Sequence, residues 1–518
     1  MGKISLAAAL VCAATATAAV AVPGLDLTAP VAVTGGKVVG LVEKDLDVFK
    51  GIPFAAPPVR NLRWRDPQPV APWSGTKIAD RFSPMCLQGL RPKNSVFYLG
   101  EEPSSEDCLY LNVWAPRDAH GGKRPVMVFV YGGGWTIGSA SLPLYSGEGL
   151  ARKGVVVMSF NYRLGTLGFL SHPDLAKESA DGTSGNYGLK DMVAALQWVK
   201  ANAAVFGGDP QNVALYGQSA GAAAISVLMA SPKAKGLFQK AIGESGAFGT
   251  GERMLDRAAA ETAGVAISSK LNAASIADLR NVGGDVIVAT ANTSRPTVDG
   301  SFLPRQPDEV FKAGAQMAIP VLVGSNANEA TVYPVVRKAE EFRGDTAKMY
   351  GERAGDLLAL YPATTDSEAM TSSYELFRDR IFAGPVRVWA KAQSAVAPVF
   401  MYHFAHPQPF VDGIGFQQQA SASQFGAYHG SEMAYAFGTF DSLNALGKTR
   451  NWSEADRQLS RELSSYWVNF ATTGDPNAKG LPAWPRYKAD DEKVLFVGAD
   501  AISVRDVPNK QRLDFLEH

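Results

Sequence analysis

The 518-residue chain predicts an α/β fold, a large and mostly parallel central sheet with helices on both faces and helical insertions around a site. Three observations carry that expectation. Short apolar runs of strand length alternate with stretches of helical period. The order strand, helix, strand recurs around a glycine-flanked serine. Hydrophobic residues at 46% against charged residues at 19% are enough to fill a large core.

Residues 1–21 open with Lys3, an apolar run and small-x-small sites such as Ala19-Val20-Ala21, and read as a secretory signal peptide that places the mature protein outside the cell or in the periplasm. A short membrane anchor or buried N-terminal helix is the alternative. Residues 22–518 show no fixed-period repeat, low-complexity block or long linker, and read as one domain. Beyond the leader only Cys86 and Cys108 remain; an even pair in an exported protein suggests a disulfide, with two separate buried thiols as the alternative. Fifty basic and fifty acidic residues balance, so no global field draws the chain to nucleic acid or acidic membranes. No later segment has the roughly 18 continuous apolar residues of a spanning helix, so stable membrane insertion is not expected. Oligomeric state leaves no mark in these patterns.

Val126-Met127-Val128-Phe129-Val130 and Val155-Val156-Val157-Met158 have the β-branched composition of buried parallel strands. From Leu189 the apolar residues Met192, Val193, Leu196 and Val199 follow a helical spacing, and residues 212–216 then read as a strand. Next comes Gly217-Gln218-Ser219-Ala220-Gly221, leading into a small-residue helical pattern over 222–228. A G-x-S-x-G between strand and helix is the elbow that exposes a nucleophilic serine, with glycines where side chains would crowd the turn. The alternative is a tight turn with a merely structural Ser219.

A serine hydroxyl needs a base, usually a histidine oriented by a carboxylate. Of the six histidines, His120 in a polar loop and the terminal His518 are poor fixed bases, and His172 before Pro173 reads as a loop residue. His403 and His406 read as strand-end packing and lack companions for a metal site, so no metal is expected. His429 lies in a loop late in the chain, which suits the order serine, acid, histidine. Glu329, just past the apolar run ending at Gly324, is the preferred acid; Asp299 is the rival, although Asp299-Gly300 reads more naturally as a turn. Tyr131-Gly132-Gly133-Gly134-Trp135 after a strand offers backbone N–H groups for an oxyanion, assigned to Gly133, Gly134 and Ala220. No nucleotide-binding glycine pattern follows, so no cofactor is expected. Trp135, Gln218 and Phe248 are taken as substrate-binding walls, and the helical stretches around 252–279 and 368–397 as its frame.

These residues resemble the type B carboxylesterase/lipase family, which includes cholinesterases and many bacterial esterases. Phe206-Gly207-Gly208-Asp209-Pro210 with Asn212 and the serine elbow is similar to the family's serine-site pattern, and Glu106-Asp107-Cys108-Leu109-Tyr110-Leu111-Asn112 to its second pattern. The resemblance spans nearly the whole chain after the leader. It implies an α/β-hydrolase fold, a triad of Ser219, Glu329 and His429, an oxyanion hole at Gly133, Gly134 and Ala220, and a Cys86–Cys108 bridge. It also implies an Arg63–Glu106 ion pair and a Ser245 that supports the acid. Cholinesterases carry Glu where this chain has the neutral Gln218, so choline esters lose support. The expected function is hydrolysis of small to medium soluble esters, with water as second substrate. A non-catalytic binding member of the fold and an interfacial lipase are the alternatives.

Overall fold

A computed structural model describes residues 26–100, 103–119, 123–249, 253–336, 338–419 and 421–517. The leader reading of residues 1–21 therefore falls outside the described residues, as do His120 and His518. Eleven strands form the main sheet: β1 (Leu41–Glu43), β2 (Leu46–Pro53), β3 (Tyr110–Pro116), β4 (Arg124–Val130), β5 (Val156–Phe160), β6 (Gly208–Gln218), β7 (Lys240–Glu244), β8 (Val321–Asn326), β9 (Val399–Phe404), β10 (Lys493–Val497) and β11 (Ile502–Asp506). Their spatial order is β11-β10-β9-β8-β7-β6-β4-β5-β3-β2-β1.

The pairs from β5 through β10 are all parallel. Antiparallel strands close both edges, β1 to β3 on one side and β11 on the other. The sequence explains the division. Val126–Val130 of β4 and all of β5, β7, β8 and β9 are buried, so β4 and β5 and the first part of β8 read as apolar runs rather than alternating ones. The edge strand β11 is partly exposed and carries Arg505 and Asp506, which blunt it against pairing with another chain.

Six helices matter for the site: α1 (Tyr187–Asn202), α2 (Ala220–Ala230), α3 (Arg257–Lys270), α4 (Asp366–Arg378), α5 (Gly384–Ser394) and α6 (Glu454–Thr473). The expected helix after Leu189 is α1, and the small-residue run after the serine is α2, whose side chains are all buried. Small residues let α2 pack closely between β6 and the strands beside it. Between α4 and α5 the chain makes a π-helical turn over Asp379–Ala383, a departure that often marks functional sites.

Cys86 and Cys108 are bridged with Cα atoms 4.9 Å apart. Arg63 donates from Nε to Glu106 at 2.7 Å and from Nη1 to the Val282 carbonyl at 2.7 Å, so the implied ion pair ties the disulfide region to the segment after residue 276. Among the described residues no helix is long and apolar enough to cross a membrane.

Candidate active site

Strand β6 ends at Gln218 and α2 begins at Ala220, leaving Ser219 alone at the tip of the turn with φ 58° and ψ −127°. That backbone is strained for a residue with a Cβ, at a cost of about 1–3 kcal/mol. It is pinned by the Ser219 N–H donating to the Glu244 carbonyl at 2.8 Å. The glycine at 221 is enforced by packing: a Cβ there would lie 2.0 Å from the Val130 carbonyl oxygen. The elbow read from the sequence thus has a steric cause, because β4 leaves no room beside the serine turn for a side chain.

Glu329 follows β8, and its Oε1 accepts the Asn326 N–H at 2.6 Å. Its Oε2 lies 2.6 Å from His429 Nδ1, and both side chains are buried. The loops carrying them are fastened together. Asn328 N–H donates to the Ala427 carbonyl at 3.0 Å, and Ala427 N–H to Asn328 Oδ1 at 3.0 Å. Phe382, from the π-helical turn, lies against the imidazole with ring centres 4.5 Å apart. An Nδ1–H directed at the carboxylate leaves Nε2 as an acceptor. The Gln218 amide nitrogen stands 3.1 Å from it, so Gln218 rather than Ser219 holds that nitrogen in this structure. Loose nucleophile–base contacts are common in ligand-free sites.

Gly133 and Gly134 follow β4 with φ 112° and 60°. The N–H groups of Gly133, Gly134 and Ala220 donate to no acceptor among the described residues, and Ala220 stands at the start of α2, where such groups are orphaned by geometry. All three face the same cavity of about 1070 Å³ as Ser219 and His429. Three unspent donors beside a hydroxyl are what an oxyanion requires. Trp135, Gln218 and Phe248 line this cavity as expected, and Phe97 joins them.

Behind the histidine lies a carboxylate group that the sequence reading did not single out. Glu244, at the end of β7, accepts from Trp467 Nε1 at 2.5 Å, and burial pushes its carboxyl up to about 8. Glu432 accepts from Asn326 Nδ2 at 2.5 Å; burial first, then the neighbouring carboxylates Glu244 and Glu329, raise it well above the ordinary glutamate value. The only sequence signal for Glu432 was its place three residues after His429. The implied support of the acid by Ser245 is corrected. The Ser245 hydroxyl is buried with no hydrogen-bond partner among the described residues, whereas Glu329 Oε1 accepts the Asn326 N–H.

The rival acid Asp299 is occupied elsewhere. It accepts from Asn186, Ser301 and Leu303 at 2.9–3.0 Å and shapes its own turn. His172 caps the short helix Pro173–Glu178 through Nδ1, and His406 pairs with Asp456 at 3.0 Å. His403 is buried in β9, where burial drives its pKa down to about 3.

A mostly parallel sheet with antiparallel edges and a strained serine between strand and helix defines an α/β-hydrolase. The carboxylesterase family matches residues 28–516, and the chain belongs to that family as a hydrolase of carboxylic esters. It is 37% identical over 470 residues to fumonisin B1 esterase of Sphingopyxis macrogoltabida, covering 88% of this chain and 84% of that one. To para-nitrobenzyl esterase of Bacillus subtilis (strain 168) it is 34% identical over 501 residues, covering 92% and 96%. A solved PNB esterase superposes with a TM-score of 0.81 at 32% identity, covering 94% of this chain and 99% of the other.

Proposed function

We propose that Ser219 attacks the ester carbonyl, that His429 takes its proton and passes it to the leaving alcohol, and that Glu329 orients and stabilises the imidazolium. An acyl-enzyme on Ser219 then yields to water activated by the same histidine. The N–H groups of Gly133, Gly134 and Ala220 receive the charge on the carbonyl oxygen in both steps. Gln218 must give up His429 Nε2 as substrate settles, since one imidazole nitrogen accepts one proton at a time. Trp135, Gln218 and Phe248 bound the substrate. The observation that carries this reading is the 2.6 Å contact between buried Glu329 and His429, with His429 lining the same cavity as the serine at the elbow.

The test is p-nitrophenol release from short, medium and long acyl esters. The wild type is expected to turn over and Ser219→Ala to fall to background while remaining folded. Wild-type turnover by Ser219→Ala would overturn the assignment. No turnover by either folded protein would favour a non-catalytic binding member, and activity appearing only on emulsified esters would favour an interfacial lipase. We further propose that residues 1–21 are an export leader on a single domain of 22–518, placing the enzyme outside the cell or in the periplasm; N-terminal sequencing of the mature protein tests the leader.

A further inference from the structure

The charges on the cavity wall are one-sided. Among the described residues its charged lining side chains are Arg91, Arg253, Arg295 and Arg380, with no carboxylate. Arg253 is answered by Glu309 at 2.6 Å. Arg295 is not. Its Nη1 donates to the carbonyls of Thr293 and Ser294 at 3.3 and 3.1 Å, while Nε and Nη2 have no acceptor among the described residues. Its side chain is exposed at the cavity wall rather than packed in the core, and no acid among the described residues pairs with it. Arg380 comes from the π-helical turn that also carries Phe382 against His429, and it has neither ion pair nor hydrogen bond among the described residues. Two residues earlier, Arg378 is paired with Asp379 at 2.7 Å, and in the core Arg163 meets Asp191 at 2.7 Å.

An arginine cannot shed its charge as a buried lysine or glutamate can. Two such cations on one cavity wall, without counter-ions among the described residues, therefore favour any ligand that supplies them, and the planar fork suits a carboxylate. We propose that the ester taken by this site carries one or more free carboxylates, which Arg295 and Arg380 bind while the scissile carbonyl lies at Ser219. This rests on the ester-hydrolase reading above and names its substrate class. The carboxylate can sit on the acyl or the alcohol side of the ester, and the experiment separates the two.

Values of kcat/KM are measured for two matched pairs, each corrected for its hydroxide-catalysed rate. The acyl-side pair is mono-p-nitrophenyl adipate against p-nitrophenyl hexanoate. The alcohol-side pair is the hexanoate of 4-hydroxybenzoate against that of 4-hydroxybenzamide. One pair is expected to favour the anion at least tenfold at low ionic strength, and less so in 0.5 M salt as screening grows. The double variant Arg295→Gln/Arg380→Gln should cut that ratio at least tenfold, and Arg295→Lys/Arg380→Lys should retain most of it. Because each result is a ratio within one protein preparation, partial misfolding cannot mimic it. A wild type that hydrolyses the neutral members as well as or better than the anions in both pairs overturns the proposal. A preference that survives the double glutamine variant overturns the assignment to these arginines. If the wild type turns over no ester in either pair, the ester-hydrolase reading fails first and this inference falls with it.

Discussion

Behind His429 sit Glu329, Glu244 and Glu432, all buried and, among the described residues, none in an ion pair with a lysine or arginine; in front, Arg295 and Arg380 line a cavity with no carboxylate among its described lining residues. The two sides accommodate unpaired charge in opposite ways. At the rear, carboxyls can take up protons, and burial drives Glu244 up to about 8 and Glu432 in the same direction. Glu329 stands apart in its contacts, one oxygen accepting the Asn326 N–H and the other facing the imidazole. At the front the guanidiniums must stay charged, so their compensation has to come from outside the chain. A group that can titrate is silenced by burial, whereas one that cannot is left as a binding surface.

The harshest way to break this contrast is to remove the one rear charge proposed to work. Glu329→Gln keeps the shape but removes the carboxylate that orients the imidazole and stabilises its cation. We expect kcat to fall by about 10³–10⁴, as for the equivalent loss in serine hydrolases generally, measured on any p-nitrophenyl ester the wild type accepts. A rate within tenfold of wild type would return Asp299 to consideration as the acid.

The next test addresses the silenced carboxyls. Glu244 binds its proton more tightly in the folded state, so between about pH 4.5 and pH 8 the folded protein holds more protons than the unfolded chain. Its contribution to stability is present below that window and is lost as pH rises through it. Glu244→Gln mimics the protonated carboxyl and cannot ionise. Its Tm should match wild type near pH 5 and exceed it at pH 9, by an amount reflecting on the order of a few kcal/mol. A Tm below wild type at both pH values would mean that Glu244 works as an anion.

Gln218 lies on the border between the two regions, and Gln218→Glu carries a rear-type charge to the front. A carboxylate beside His429 and within the same cavity as the arginines should repel an anionic ester. The ratio of kcat/KM for mono-p-nitrophenyl adipate over p-nitrophenyl hexanoate is expected to drop about three- to tenfold. An unchanged ratio would show that the cavity's field is set too far from the elbow for position 218 to matter.

The contrast also explains what the amino-acid sequence could disclose. Ser219 and Glu329 were readable because each follows a strand whose apolar run is local and unmistakable, and because glycine at 221 answers a steric demand three residues from the strand end; His429, in a loop well past the end of β9, was reached by its late place in the chain and the poor fit of the other histidines. The central strands were legible for the same reason. The antiparallel edges were not, since short half-exposed strands such as Leu41–Glu43 lack a pattern that distinguishes them from loop. Arg295 and Arg380 come from segments 85 residues apart in the chain, and which side of each faces the cavity depends on the packing of α3, α4 and the π-helical turn, which no local period encodes. Glu244 was invisible for another reason. It ends an ordinary core strand, and its company with Glu432 exists only because β7 and the His429 loop meet in space.

The smallest expected effect concerns Ser245, where family likeness and geometry part. Its side chain is fully buried, yet the hydroxyl makes no hydrogen bond among the described residues, and the acid it was expected to steady is held by the Asn326 N–H instead. Removing a buried hydroxyl that has no partner costs little, and relieving its desolvation can even stabilise by up to about 1 kcal/mol. Alanine at this left-handed backbone position, φ 52°, meets the same strain as serine. Ser245→Ala should therefore leave kcat within twofold and Tm equal or slightly higher. A tenfold fall in kcat with unchanged Tm would mean that the hydroxyl reaches Glu329 once substrate is bound, and that the rear wall rearranges during turnover while the front wall receives the anion.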